Sequence, residues 1–176
     1  KRNGTVTSAE DILQYVEFLR EQANLGVTPP IELGRVYTKF NIPDPERVAL
    51  PNQQGLLINP ERGTILINEN DRETRQRFTE AHELVELLFS ALPSGRGWAA
   101  RRIGPFKPSV KERLCNEGAA ELLMPRVAFL PRVREVGISF QSGRQLASEY
   151  AVSTTSALVQ MSRVGPGRHA VVLWRM

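Results

Sequence analysis

Cysteine occurs once in this 176-residue chain, at Cys115, which excludes an intrachain disulfide framework and fits a reducing compartment. Histidine occurs twice, at His82 and His169, so any metal site must lean on carboxylates. No apolar run reaches the roughly 18 residues of a membrane span and no signal-peptide core is present, so neither anchorage nor export is expected and the setting is read as cytoplasmic. A hydrophobic content of 41% with 24% charged residues is that of an ordinary soluble chain, long enough for one core or one core with a small appendage. The net charge of +4 and pI of about 9.6 would suit an acidic partner or nucleic acid and identify neither. The first residue is Lys1 rather than an initiator methionine, which leaves further sequence at either end open.

What is present is a helix-like run, Arg77-Phe78-Thr79-Glu80-Ala81-His82-Glu83-Leu84-Val85-Glu86-Leu87-Leu88-Phe89. His82 and Glu86 are four residues apart, which on a helix places them one turn apart on one face, within reach of a single cation. Glu83 lies beside them. In the helix of the zincin peptidases, two ligands at this spacing hold the metal and the intervening glutamate polarises a water. The usual second ligand is histidine; here it is Glu86. A plainer reading also exists, because Thr79, His82, Glu83, Glu86 and Ser90 form a polar stripe opposite Phe78, Ala81, Leu84 and Val85, as on the solvated face of an amphipathic helix.

Upstream, Ser8 is placed to cap a helix to about Asn24, and Pro29-Pro30 open a second over Ile31 to Phe40. Val48-Ala49-Leu50, Gly55 to Asn59 and Thr64 to Asn68 then read as three short strands of a small antiparallel sheet, the last two forming a hairpin. Helices followed by a sheet and the motif helix make an α+β order. Residues 93–108 form a Gly/Pro/Arg-rich connector carrying Trp98 and Phe106, readable as a lid, a partner strip or a plain loop.

Ser109 to Met124 reads as the next helix, halted at Pro125. Glu112 and Asn116 are one turn apart on a face bordered by Ala119 and Ala120. Glu112 is the best candidate for a third ligand, with Asn116 able to hydrogen-bond a ligand from behind. The competing account is that Ser109-x-x-Glu112 is a capping box, which explains both residues without a metal. Two short helical pieces are expected at Arg126 to Leu130 and Arg132 to Val136. Ser142 to Met161 resembles a helix-turn-helix, although Ser153 to Gln160 has no Arg or Lys to grip DNA. His169 to Trp174 reads as a terminal strand, with His169 away from the metal.

With these residues in view, the chain resembles the ImmA/IrrE family of metallopeptidases, particularly the branch of the deinococcal radiation-response regulator. Arg77 to Leu84 is similar to the family's metal helix, and Leu114-Cys115-Asn116-Glu117-Gly118-Ala119-Ala120-Glu121-Leu122-Leu123-Met124-Pro125 to its second signature, about 30 residues on. The resemblance implies a zincin-like metallopeptidase domain over residues 1–136, with a helix-turn-helix-like unit and terminal strand over 137–176. It implies Glu83 as general base and His82, Glu86 and Glu112 as ligands of one divalent ion, zinc or manganese. It also implies limited proteolysis of a helix-turn-helix repressor of the XRE type in a stress or DNA-damage response, and hence a role in transcription regulation. Two carboxylates on the ion would make its water less acidic and shift preference toward harder ions such as manganese. Two other functions stay open at this point: a non-catalytic relative that binds a protein partner, and a DNA-binding regulator acting through Leu146 to Met161.

Overall fold

The computed structural model describes residues 9–59, 62–89, 107–167 and 170–171. The elements in order are α1 (Ala9–Gln22), α2 (Gly34–Phe40), β1 (Glu46–Val48), β2 (Gly55–Asn59), β3 (Thr64–Asn68), α3 (Glu73–Phe89), α4 (Pro108–Leu123), α5 (Arg126–Val136), α6 (Phe140–Glu149) and α7 (Thr154–Val164). This is the mixed helix-and-small-sheet content that the α+β reading expects. The expected Ser8 cap, most of the 93–108 connector, most of the 169–174 strand and His169 lie outside the described residues.

The sheet differs from expectation in one respect: it is mixed, not antiparallel, with order β1-β3-β2. β2 and β3 make the expected antiparallel hairpin, but β1 runs parallel to β3 on its other side, with Arg47 opposite Ile67. The connector from β1 to β2 therefore passes over the end of β3, and Asn68 ties it there. The Asn68 amide donates to the carbonyls of Leu50 and Gln53 at 2.9 and 2.8 Å, and the Asn68 backbone N–H donates to Gln54 at 2.8 Å. Three runs of similar residues carry no signal that the third inserts between the first two.

Other boundaries move for local reasons. α2 begins at Gly34 instead of Ile31, because the Ile31 carbonyl accepts from the Arg77 guanidinium and the Arg35 N–H turns to Glu32 at 3.3 Å. α5 is one helix rather than two pieces. Pro131 removes a single bond from its ladder, while buried Phe129 and Val133 hold both halves to the core.

α3 lies between the sheet and α4, and α1 packs across α4. Ile12, Val16, Ile65, Ile67, Ala81, Leu84, Val85, Leu114 and Leu122 fill these layers, and the cluster runs on through Phe129, Leu146 and Met161. The helices pack closely at Gly118, where a Cβ would come within 2.8 Å of Ile12 and Val85 side-chain carbons. A side chain there would push α4 off both neighbours, so the small residue sets the spacing on which any α3–α4 site depends.

Candidate metal centre

The stripe Thr79, His82, Glu83, Glu86 is not a solvated face. Thr79 is 5% and Glu83 7% exposed, because Gly55 lets β2 cross directly over them: a Cβ at Gly55 would meet Thr79 Cγ2 at 2.4 Å and Glu83 Oε1 at 3.0 Å. Burying a carboxylate is costly unless it is paired, and no hydrogen bond to the Glu83 carboxyl is found among the described residues. Burial pushes Glu83 up to about 7; nearby His82 opposes this and the Glu86 and Glu112 carboxylates add to it.

The capping box does not form. α4 starts one residue earlier than expected, with Lys107 as a cap that offers no side-chain bond and Pro108 in the first turn, so Ser109 is already inside the helix. Glu112 is thereby available to the α3 face. Its Oε2 lies 3.7 Å from His82 Nε2, and its Oε1 accepts from Asn116 Nδ2 at 3.3 Å. Asn116 Oδ1 is 3.1 Å from His82 Nδ1. Asn116 thus accepts a proton held on Nδ1, which leaves the Nε2 lone pair aimed at the carboxylates.

Glu86 completes the group from α3. Its Oε2 is 3.8 Å from His82 Nε2, an ion-pair separation too long for a hydrogen bond. Its Oε1 accepts from Lys111 Nζ at 2.6 Å. Proximity to His82, then Lys111, holds the Glu86 carboxyl down to about 2 in spite of partial burial. Burial alone would lower His82, yet Glu86, Glu112 and Glu83 outweigh it and raise it.

Among the described residues the donor atoms that all lie within 4.8 Å of one another are those of His82, Glu86 and Cys115, a set that could hold a dication, and Glu112 adjoins it through His82. Bonds of about 2.0–2.1 Å in tetrahedral geometry place ligand atoms roughly 3.3 Å apart, so the observed 3.7 and 3.8 Å need closing by about half an ångström. Two residues escaped the sequence reading. Cys115, read from sequence only as a lone cysteine without a disulfide partner, brings its Sγ together with donor atoms of His82 and Glu86, all within 4.8 Å of one another. Lys111, given no role, reaches Glu86. Both share the α4 face of Glu112 and Asn116, a signal that helical spacing carries but that gains meaning only once α3 is known to lie against it.

Comparison with known proteins supplies the remaining observations. Residues 44–162, about two thirds of the chain, match the family model of the IrrE N-terminal-like domain. A radiation response metalloprotease IrrE of Deinococcus deserti is 37% identical over 105 residues, covering 59% of this chain and 37% of that protein. Its namesake from Deinococcus radiodurans is 34% identical over 112 residues, covering 62% of this chain and 34% of the relative. The chain thus spans little more than a third of the length of the curated relatives it matches.

Proposed function

The chain belongs to the IrrE N-terminal-like peptidase family, and from that premise we propose that it is a metal-dependent endopeptidase whose substrate is a helix-turn-helix repressor of the XRE type, cut in a stress or DNA-damage response in the cytoplasm. Residues 1–136 are the proposed catalytic unit, and 137–176 the helix-turn-helix-like appendage. The observation that carries the reading is the pointing of His82 Nε2, oriented by Asn116, at two carboxylates on two different helices.

His82, Glu86 and Glu112 are the proposed ligands. Cys115 lies buried behind them, its Sγ within 4.8 Å of donor atoms of His82 and Glu86, so C115S beside E112A distinguishes which of the two completes the set. Glu112, with its side chain 64% exposed, would form the open side of the site, where substrate enters. A zinc or manganese ion there would supply Lewis-acid polarisation of a peptide carbonyl and acidify a water. Glu83 then takes a proton from the attacking water as its oxygen bonds to the carbonyl carbon, and passes that proton to the leaving amine nitrogen as the C–N bond breaks. A carboxyl that ionises near neutral pH is suited to both steps. Among the described residues β2 is an edge strand beside Glu83, on which an extended substrate segment could pair through its backbone.

The test is elemental analysis of protein purified without chelator, alongside E86A, E112A and E83Q. About one zinc or manganese per chain, lost in the first two variants and kept in E83Q, is the expected result. Cleavage of a purified repressor by E83Q should fall about a thousandfold, within the range for removal of a general base. Unchanged cleavage by E83Q would remove the assignment. Metal-free wild type that takes up neither ion would favour a non-catalytic, partner-binding relative.

A further inference from the structure

Glu86 poses a charge problem that the surrounding residues answer. With histidine at position 86 the three ligands would carry one negative charge, on Glu112; with glutamate they carry two, beside the further carboxyl of Glu83. The lysine that meets Glu86 comes from the facing helix, 25 residues away, and approaches one oxygen only: Lys111 Nζ is 2.6 Å from Oε1, while Oε2 faces His82 Nε2. Lys111 is the one Lys or Arg within ion-pair distance of Glu86 among the described residues. Its neighbour Arg113 turns the other way, to Glu117 at 3.1 Å.

We propose that Lys111 is the counter-charge that makes Glu86 serve as a net-neutral ligand, so that the Glu86–Lys111 pair stands where a single histidine would and the ligand set keeps one net negative charge. The inference rests on the metallopeptidase reading and deepens it. Lys111 is a positioning and charge-setting residue, not a ligand: it occupies Oε1 and leaves Oε2 as the only donor. By cancelling one negative charge it also removes the reason to expect a shift toward manganese.

The proposal makes a prediction of opposite sign to an ordinary structural role. Zinc and manganese affinities of the purified protein are measured by chelator competition for wild type, K111M, K111R, E86H and E86H/K111M, with thermal melting of each metal-free form to confirm folding. K111M should bind zinc about tenfold more tightly than wild type, since a unit cation near a dication has been removed, and K111R should match wild type. E86H, although it restores the usual ligand pair, should bind no better than wild type, because Lys111 is left without its anion; adding K111M should raise its affinity about tenfold. If Lys111 merely braces Glu86, K111M binds more weakly. If the pair is only a surface contact, K111M binds equally. Either result overturns the proposal while leaving the metallopeptidase reading intact. Absence of zinc and manganese binding in wild type and all variants overturns both.

Discussion

Two helix pairs in this chain are packed by the same rule and differ in what they enclose. In α6–α7 the buried polar groups are satisfied by helix caps and backbone carbonyls. Ser139 caps α6 by accepting from the Ser142 N–H at 3.0 Å, Ser142 Oγ donates to the Val136 carbonyl at 2.9 Å, and Ser153 caps α7 by accepting from the Ser156 N–H at 3.0 Å. Gln160 donates to the Met124 carbonyl at 3.3 Å. In α3–α4 the polar groups are charged and drawn from both helices: Glu83 is buried under Gly55, His82 Nε2 lies 3.8 Å from Glu86 and 3.7 Å from Glu112, and Lys111 meets Glu86 at 2.6 Å. One pair satisfies its polar groups through caps and backbone carbonyls; the other sets charged side chains against one another. Charged groups clustered between two helices in an otherwise well-packed layer single out this face as the candidate site.

The contrast can be broken most forcefully at the glycines that set each pair's spacing. G118V would drive a branched side chain into Ile12 and Val85, which have no flexible end to withdraw, and should cost about 3 kcal/mol along with metal binding. G143A meets the tip of Leu158, which can rotate away, and should cost about 1 kcal/mol or less with metal binding kept. Denaturant unfolding with parallel metal analysis checks both. Equal losses would mean that α3–α4 is not the tighter of the two.

A pH experiment sharpens the contrast. Glu83 ionises near 7 in the fold against about 4.5 unperturbed, a raised carboxyl. Its ionised form is therefore penalised in the folded state. The penalty is absent below about pH 4.5, grows from there to pH 7 and is complete above, so the metal-free protein should lose stability as pH rises through this window. E83Q, which cannot ionise, should be the more stable protein above pH 7, by about 3 kcal/mol from the size of the shift. A metal-free E83Q that is no more stable than wild type at pH 8 would mean that Glu83 is paired after all.

The smallest effect is on the satisfied side. S153A removes the α7 cap and should cost about 1 kcal/mol in thermal melting, leaving zinc affinity unchanged. A change in affinity there would show that the two pairs are coupled rather than separate.

Much of this was legible because it is local. Helical spacing placed His82 with Glu86 and Glu112 with Asn116; turn residues around Gly55–Asn59 and Thr64–Asn68 marked a hairpin. Each depends on backbone periodicity or a turn within a few residues, and such signals survive without knowledge of the fold. Two local readings failed for different reasons. Ser109–Glu112 resembled a capping box until the adjacent Pro108 moved the helix start by one residue, and the α2 start shifted because Arg77, from another element, took the Ile31 carbonyl.

The sequence by itself determined the residue types and spacings that make a metal helix, a second signature helix and a small α+β unit. Only the tertiary structure decided that the polar stripe faces inward under Gly55, that β1 joins β3 in parallel, and that Lys111 and Cys115 reach the site. The physical reason is that charge pairing and burial depend on separations across elements. Lys111 and Glu86 are 25 residues apart in the chain and 2.6 Å apart in the fold, and no periodicity of either helix alone encodes that meeting.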